Sequence, residues 1–213
     1  MKYVYSVDGN IGSGKNDVIE KLRVIFDKDS NVCIRKQPCF KWKTTQHSKT
    51  CSSNLLDLYY ADTSRWAYTF ETRCLISRIM DCKRSTKSIT FCEKSWLSDR
   101  YVFCETLFDL GCMSMLEKEL YDEFYDWEVK SAPSITGYIY VKRSPDECMK
   151  RLTDNNCVSV QLSYLENLHE KYEKLFLKSF KDVPILVLDM DSEPNMENDV
   201  LKDKILATFP NIL

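Results

Sequence analysis

Neither charge dominates this chain: 30 Lys and Arg against 32 Asp and Glu leave a formal net charge of -2 over 213 residues. There is no basic excess to neutralise a nucleic-acid backbone or to seek an anionic membrane surface, so neither partner is expected. Long apolar runs are missing too. The aliphatic stretches, such as Ile185 to Leu188, are strand length and far short of the roughly 20 residues that a spanning helix needs. No apolar leader precedes the first strand-like segment, which places the expected site of action in the cytoplasm. Histidine is reduced to His47 and His169, and the ten cysteines are scattered without a C-x-x-C pair. Neither a disulfide scaffold nor a thiol and imidazole metal centre is therefore expected. Glycine is scarce as well, yet three of the five, Gly9, Gly12 and Gly14, share one six-residue window. Glycine concentrated in this way marks backbone with a special conformation.

Around that window the pattern alternates between strand and helix. Lys2 to Val7 is β-branched and aromatic, and Asn16 to Phe26 places Val18, Ile19, Leu22, Ile25 and Phe26 at helical spacing. Val32 to Arg35 reads as a second strand, and Lys43 to Ser53 as a polar loop expected to be mobile. Asn54 or Asp57 starts a short helix, and Ser64 is the expected N-cap of a long one through Cys82. Ile89 to Cys92, Gly137 to Val141 and Val183 to Leu188 complete five strands. Helices are expected over Tyr101 to Leu110, Met115 to Val129, Pro145 to Arg151, Ser163 to Phe180 and Val200 to Phe209, the last capped by Asn198. Strands separated by helices in this rhythm predict a single α/β domain over residues 1–213, a five-stranded parallel sheet flanked by helices.

Gly9-Asn10-Ile11-Gly12-Ser13-Gly14-Lys15 fills the G-x-x-x-x-G-K pattern between a predicted strand and a predicted helix, the context a phosphate-binding loop requires. Its backbone N–H groups and the helix N-terminus attract phosphate, and the Lys15 ammonium reaches toward the outer phosphates. Where a Ser or Thr commonly follows the lysine to hold Mg²⁺, this chain has Asn16, a neutral and weaker ligand for a hard cation.

"VDGNIGSGK" at 7–15, "QPCFKW" at 37–42, "YADTSRWAYTFETRCLISR" at 60–78, "CEKSWLSDRYVF" at 92–103, "IYVKRSPDECMKRL" at 139–152 and "LSYLENLHEKYEKLF" at 162–176 together resemble the deoxynucleoside kinase family over nearly the whole chain. That family comprises the deoxycytidine, deoxyguanosine and mitochondrial thymidine kinases and their insect and viral relatives. The resemblance implies the P-loop nucleoside kinase fold, ATP with Mg²⁺ as cofactors, a deoxynucleoside as acceptor, and a homodimer built on the long helices Ser64 to Cys82 and Tyr101 to Leu110. It also implies the host cytoplasm as location if the chain is a viral member. By position it assigns Trp42, Tyr60 and Phe103 to the sugar and the face of the base, Glu71 to the place of a base-reading Gln, and Arg78 and Asp99 to the space behind it. Glu93 takes the place of the acidic residue that holds Mg²⁺ together with residue 16, Lys94 that of a phosphate-contacting Arg, and Arg100 follows in the Ser98-Asp99-Arg100 segment. Arg151 stands at the mouth of a lid.

The departures from the family fall on the chemistry. The expected general base, a Glu before Pro, is Gln37, which takes no proton. The lid, Leu152 to Leu162, is short and holds no Arg or Lys. Two functions follow: an ATP-dependent deoxynucleoside 5′-kinase of weakened activity or, alternatively, a nucleotide-binding relative that has lost catalysis and serves as an interaction protein.

Overall fold

A computed structural model describes residues 2–44, 54–155, 160–179 and 183–212. The expected polar loop therefore lies mostly outside the described residues, as do 156–159 within the lid and Phe180 at the end of one expected helix. The described chain forms two compact units, Met1–Lys36 with Ser85–Ser95 and Ser134–Leu213, and Gln37–Arg84 with Trp96–Pro133.

The first unit is built on five parallel strands, β1 (Tyr3–Gly9), β2 (Val32–Arg35), β3 (Ile89–Glu93), β4 (Gly137–Lys142) and β5 (Ile185–Asp189), in the order β2-β3-β1-β4-β5. The register sets Tyr3 opposite Ile89, Tyr5 opposite Gly137 and Tyr138 opposite Ile185. β3 is buried along its whole length, and β1 and β4 nearly so, as expected of parallel strands covered on both faces. Helix α1 (Lys15–Ile25) turns Val18, Ile19 and Leu22 inward. There they meet Tyr5, Val7, Phe91, Ile139, Leu188, Ile205 and Phe209 in one core. Gly137 is glycine for space: a Cβ there would stand 2.5 Å from the Phe209 ring.

In the second unit lie α2 (Cys39–Thr44), α3 (Leu55–Ala61), α4 (Thr63–Lys83), α5 (Trp96–Ser98), a π-helical turn Asp99–Cys104, α6 (Glu105–Asp109) and α7 (Met115–Val129). The first unit closes with α8 (Pro145–Asp154), α9 (Leu162–Glu173), a second π-helical turn Lys174–Ser179, and α10 (Asn198–Thr208). Helix α7 ends where the periodicity puts it, and Ser114 starts it with a capping box, accepting from the Glu117 amide while the Glu117 carboxylate accepts from the Ser114 amide.

Several expected boundaries move. Asp62, not Ser64, caps α4: its side chain accepts from the Arg65 amide at 3.0 Å, and the Ser64 hydroxyl donates to it. Two polar residues competed for one cap, and the carboxylate is the stronger acceptor beside the helix dipole. Glu197 rather than Asn198 occupies the N-cap of α10. The helix expected over Tyr101 to Leu110 starts earlier, at Trp96, and passes through a π-turn. The one expected from Ser163 likewise changes to π-helix after Glu173. Among the described residues no helix is long and apolar enough to cross a membrane.

Candidate active site

In the first unit the glycine loop leaves β1 and enters α1 as the motif requires. Gly12 and Gly14 have φ of 80° and 100°, left-handed values that glycine adopts at little cost. Space matters as much as conformation at Gly12, where a Cβ would stand 2.6 Å from the Cys148 carbonyl oxygen. The loop is braced from within. Ser13 N–H donates to the Asn10 carbonyl at 3.2 Å, Ile11 N–H to the Asn10 side-chain oxygen at 2.8 Å, and the Asn10 side-chain amide to the Leu165 carbonyl at 2.8 Å. Lys15 donates through Nζ to the Asn10 carbonyl at 2.6 Å. Burial pushes its ammonium down to about 8; Glu93 and Asp8 pull the other way, and Lys94 adds to the depression. Asn16 is exposed at the first turn of α1.

Asp8, one residue before the loop, was not singled out by its motif. Its carboxylate accepts from the Ser95 amide and hydroxyl, both at 3.0 Å, and from the Ser6 hydroxyl at 2.5 Å. This clasp fixes Glu93-Lys94-Ser95, at the end of β3, beside the start of the loop. Glu93 and Lys94 are both buried. Lys94 has a φ of 66°, alone among the described non-glycine residues in being positive, and that conformation costs roughly 1 to 2 kcal/mol. Strain of this kind persists where a side chain must be aimed.

Two arginines flank the far side of the loop. Arg151 on α8 pairs with Asp17 at 2.6 Å. Arg143, in the turn after β4, is buried and donates through Nε to the Ser13 carbonyl at 3.1 Å. Nothing in the motif pointed to Arg143. The available signal was its position just past the carboxyl end of a parallel strand, where ligands of such sheets bind.

In the second unit lie the residues that the resemblance assigns to the nucleoside, several of them on α4 or bonded to it. Glu71 and Arg78, seven positions apart, lie on the buried side of that helix with Cys74 and Leu75 between them. Arg78 Nη1 donates to both carboxylate oxygens of Asp99 at 2.6 Å, and its Nη2 donates to Gln37 Oε1 at 3.1 Å. Burial works against the Arg78 charge, but Asp99 outweighs it and holds the guanidinium above its ordinary value. The same guanidinium lies 5.1 Å from the Trp42 ring centroid. The Trp42 indole donates to Ser77 at 3.0 Å, and its ring meets Phe70 edge-on. Phe103 is buried, while Tyr60 is 51% exposed and its neighbour Tyr59 stacks on Phe70 at 4.3 Å.

No motif in the sequence marks Tyr121 on α7. Its hydroxyl is buried without a hydrogen-bond partner among the described residues, and burial, with Asp99 and Glu71 nearby, pushes its pKa well up. It remains a neutral donor. Arg100 stands apart from this group. Its Nη1 donates to Glu105 at 2.5 Å and its Nη2 to Asp122 at 2.6 Å, and Lys118 pairs with both carboxylates.

The family model for deoxynucleoside kinase matches residues 5–212. Deoxycytidine kinase 2 of Gallus gallus is 30% identical over 94% of this chain and 86% of its own. A probable deoxycytidine kinase of fowlpox virus is 33% identical, covering 88% of this chain and 79% of its own. The mitochondrial deoxyguanosine kinase of Xenopus laevis is 30% identical over 88% and 81%. With a glycine loop seated between β1 and α1 and a family match from the first strand to the last turn, the chain belongs to the deoxynucleoside kinase family.

Proposed function

We propose that this protein transfers the γ-phosphate of ATP to the 5′-hydroxyl of a deoxynucleoside. The observation that carries the reading is the loop at Gly9–Lys15, braced by Asn10, crowded at Gly12 and ending on a partly buried ammonium, in a chain that matches the family over nearly its full length. A cradle with no room for a Cβ and a cation at its end suits a triphosphate.

On this reading Lys15, the amides of the Gly9–Asn16 loop that Asn10 does not already engage, and Arg151 hold the phosphates, and Lys94 adds a second ammonium. Among the described residues no cluster of three or more His, Cys, Asp or Glu could hold a metal alone. Glu93, buried at the end of β3, and the neutral Asn16 at the start of α1 would hold a Mg²⁺ carried in by the phosphates, an ion that would take its other ligands from phosphate and water. When bound, that ion supplies charge neutralisation at the outer phosphates. Trp42, Phe103 and Tyr60 receive the sugar and the face of the base, Glu71 its edge, and the Arg78–Asp99 pair keeps those groups in place. Gln37 stands where a base would be, so the 5′-hydroxyl is oriented by hydrogen bonding and not deprotonated by it. That is tolerable because phosphoryl transfer depends mainly on positioning and charge stabilisation. Arg100, committed to Glu105 and Asp122, acts as a tie within the second unit.

The reading extends to nucleotide salvage in the cytoplasm, the host cytoplasm if the chain is viral, by one catalytic domain per chain. It also extends to a homodimer. Leu116, Leu120 and Trp127 expose one stripe of α7, an apolar surface that a second copy would cover.

The test is incubation of the purified chain with labelled ATP, Mg²⁺ and each of the four deoxynucleosides in turn. Formation of a 5′-monophosphate from at least one of them is expected, and its loss in Lys15→Ala. Failure with all four, although ATP binds, would overturn the reading.

A further inference from the structure

We infer that Arg143 is a phosphate ligand of this site and that, with Arg151, it forms a two-guanidinium clamp on the donor's outer phosphates. The inference rests on the kinase reading for its substrate, but not for its geometry.

Four observations bring Arg143 forward. Its side chain is 6% exposed, and among the described residues no carboxylate lies within ion-pair reach of it. A buried charge left in that state is costly, and proteins keep one where an anion completes it. Its Nε is spent on the Ser13 carbonyl at 3.1 Å, which ties the guanidinium to the phosphate loop itself. Its Nη2 lies 3.9 Å from the point where a Gly14 Cβ would stand, and the Arg151 Nη2 lies 3.9 Å from that same point. Two guanidinium groups thus converge on the first turn of α1, where the loop amides and Lys15 gather. The two differ in how they are held. Arg151 is half-exposed and steadied by Asp17 at 2.6 Å, and Arg143 is fixed from below by backbone.

The chemistry fits the position. Charge in phosphoryl transfer spreads over the equatorial oxygens of the moving group, and a rigid fork of N–H donors matches those oxygens better than a point charge does. Residues 152–162 contain no Arg or Lys, so a cation brought in by that segment is not available. Arg143 supplies one from the sheet instead, already in place before the donor arrives. Fixed donors aimed at developing charge need no reorganisation as the reaction proceeds.

Two measurements on the full chain test the clamp. In the first, inorganic tripolyphosphate is titrated calorimetrically into wild type, Arg143→Ala, Arg143→Lys and Arg151→Ala. The alanine variants should bind about 10- to 100-fold more weakly, the weight of one charge-assisted hydrogen bond. Lysine should recover part of the loss. Deoxynucleoside binding and the thermal midpoint, followed in parallel, report whether each variant is folded. In the second, steady-state kinetics with ATP should show kcat falling further than the affinity for ATP in both Arg143 variants, because the fork matters most in the transition state. If Arg143→Ala folds and binds tripolyphosphate within about twofold of wild type, Arg143 merely braces Ser13 and the clamp is rejected. If Arg143→Ala does not fold, Arg143→Lys decides by the same kcat reading. A wild type that binds tripolyphosphate through both arginines, yet phosphorylates no nucleoside, would sink the kinase reading and leave the clamp standing.

Discussion

Arg78 grips both oxygens of Asp99 through a single nitrogen, Nη1, 2.6 Å from each, and turns its other terminal nitrogen to Gln37 at 3.1 Å. The residue at the expected base position is thereby held by a cation that is already neutralised. Replacing Gln37 with Glu adds an acceptor of the same shape and length, with a charge that Arg78 already faces. Turnover should rise at least about tenfold, a cautious floor beneath the roughly 10²- to 10⁴-fold that a well-placed general base contributes. Initial rates for the best deoxynucleoside, with KM recorded alongside, check this. An unchanged kcat with binding preserved would make residue 16 or the lid limiting instead.

The same pair should behave asymmetrically toward mutation. Arg78→Ala takes the cation away from the fully buried Asp99 carboxylate and should cost about 3 to 5 kcal/mol of stability, the usual penalty for halving a buried ion pair. Urea unfolding with a constant m-value would measure it. Arg78→Lys, which keeps the charge but loses Nη2, should recover most of the stability while releasing Gln37.

Glu71 offers acceptors only, in a buried place beside the neutral donor Tyr121. A carboxylate meets the N1–H and exocyclic amine of guanine in parallel. Cytosine and thymine each face it with an acceptor, a buried mismatch worth roughly 1 to 3 kcal/mol, or about 5- to 150-fold. Deoxyguanosine should therefore lead a four-way competition for binding, and Glu71→Gln should flatten the ranking. If guanine has no lead in wild type, or the substitution leaves the order unchanged, Glu71 does not touch the base.

Much of this was legible beforehand, and the rest was hidden for definable reasons. Strands announced themselves because each is a short apolar run, and β2 appears at the predicted residues. The glycine loop was legible because its spacing is its mechanism. The π-turns at Asp99–Cys104 and Lys174–Ser179 were not, since widening one helical turn changes hydrogen bonding without changing composition. Asp62 and Ser64 both suited the cap of α4, and only geometry separates them. Arg78 and Asp99, 21 residues apart, could be paired only through the family resemblance. Arg143 escaped notice because Lys142-Arg143 reads as an ordinary charged strand end.

Burial pushes the Cys148 thiol up to about 11, against a partial opposing pull from Lys15, Arg143 and Arg151. Its folded value thus lies above the unfolded one near 9. The neutral thiol stabilises the fold fully below pH 9, and that contribution is lost as pH rises from 9 through 11. The loss should be on the order of 2 kcal/mol, seen as a falling thermal midpoint that Cys148→Ala makes shallower over the same interval. Parallel curves for the two proteins would contradict it.

If the α7 stripe is covered by a second copy, Leu120→Glu with Trp127→Glu should yield the mass of one chain by light scattering where wild type gives two. Both residues are exposed within the chain, so folding should be unaffected. A wild type that is already monomeric at micromolar concentration would remove the dimer.

The second unit is spliced into the first at two places, after β2 and after β3, and its two pieces are joined to each other only by Ser85–Ser95. Dissection of this protein has to respect that wiring. A fragment spanning 37–133 keeps every helix of the second unit but drags β3 with it, five residues buried throughout the intact protein, now stripped of β1 and β2 on either edge. Such a strand offers open backbone groups and an apolar surface to any neighbour, the ingredients of aggregation. Excision is better attempted by replacing Ser85–Ser95 with a short polar bridge, which leaves the helices their own connections and the stray strand behind.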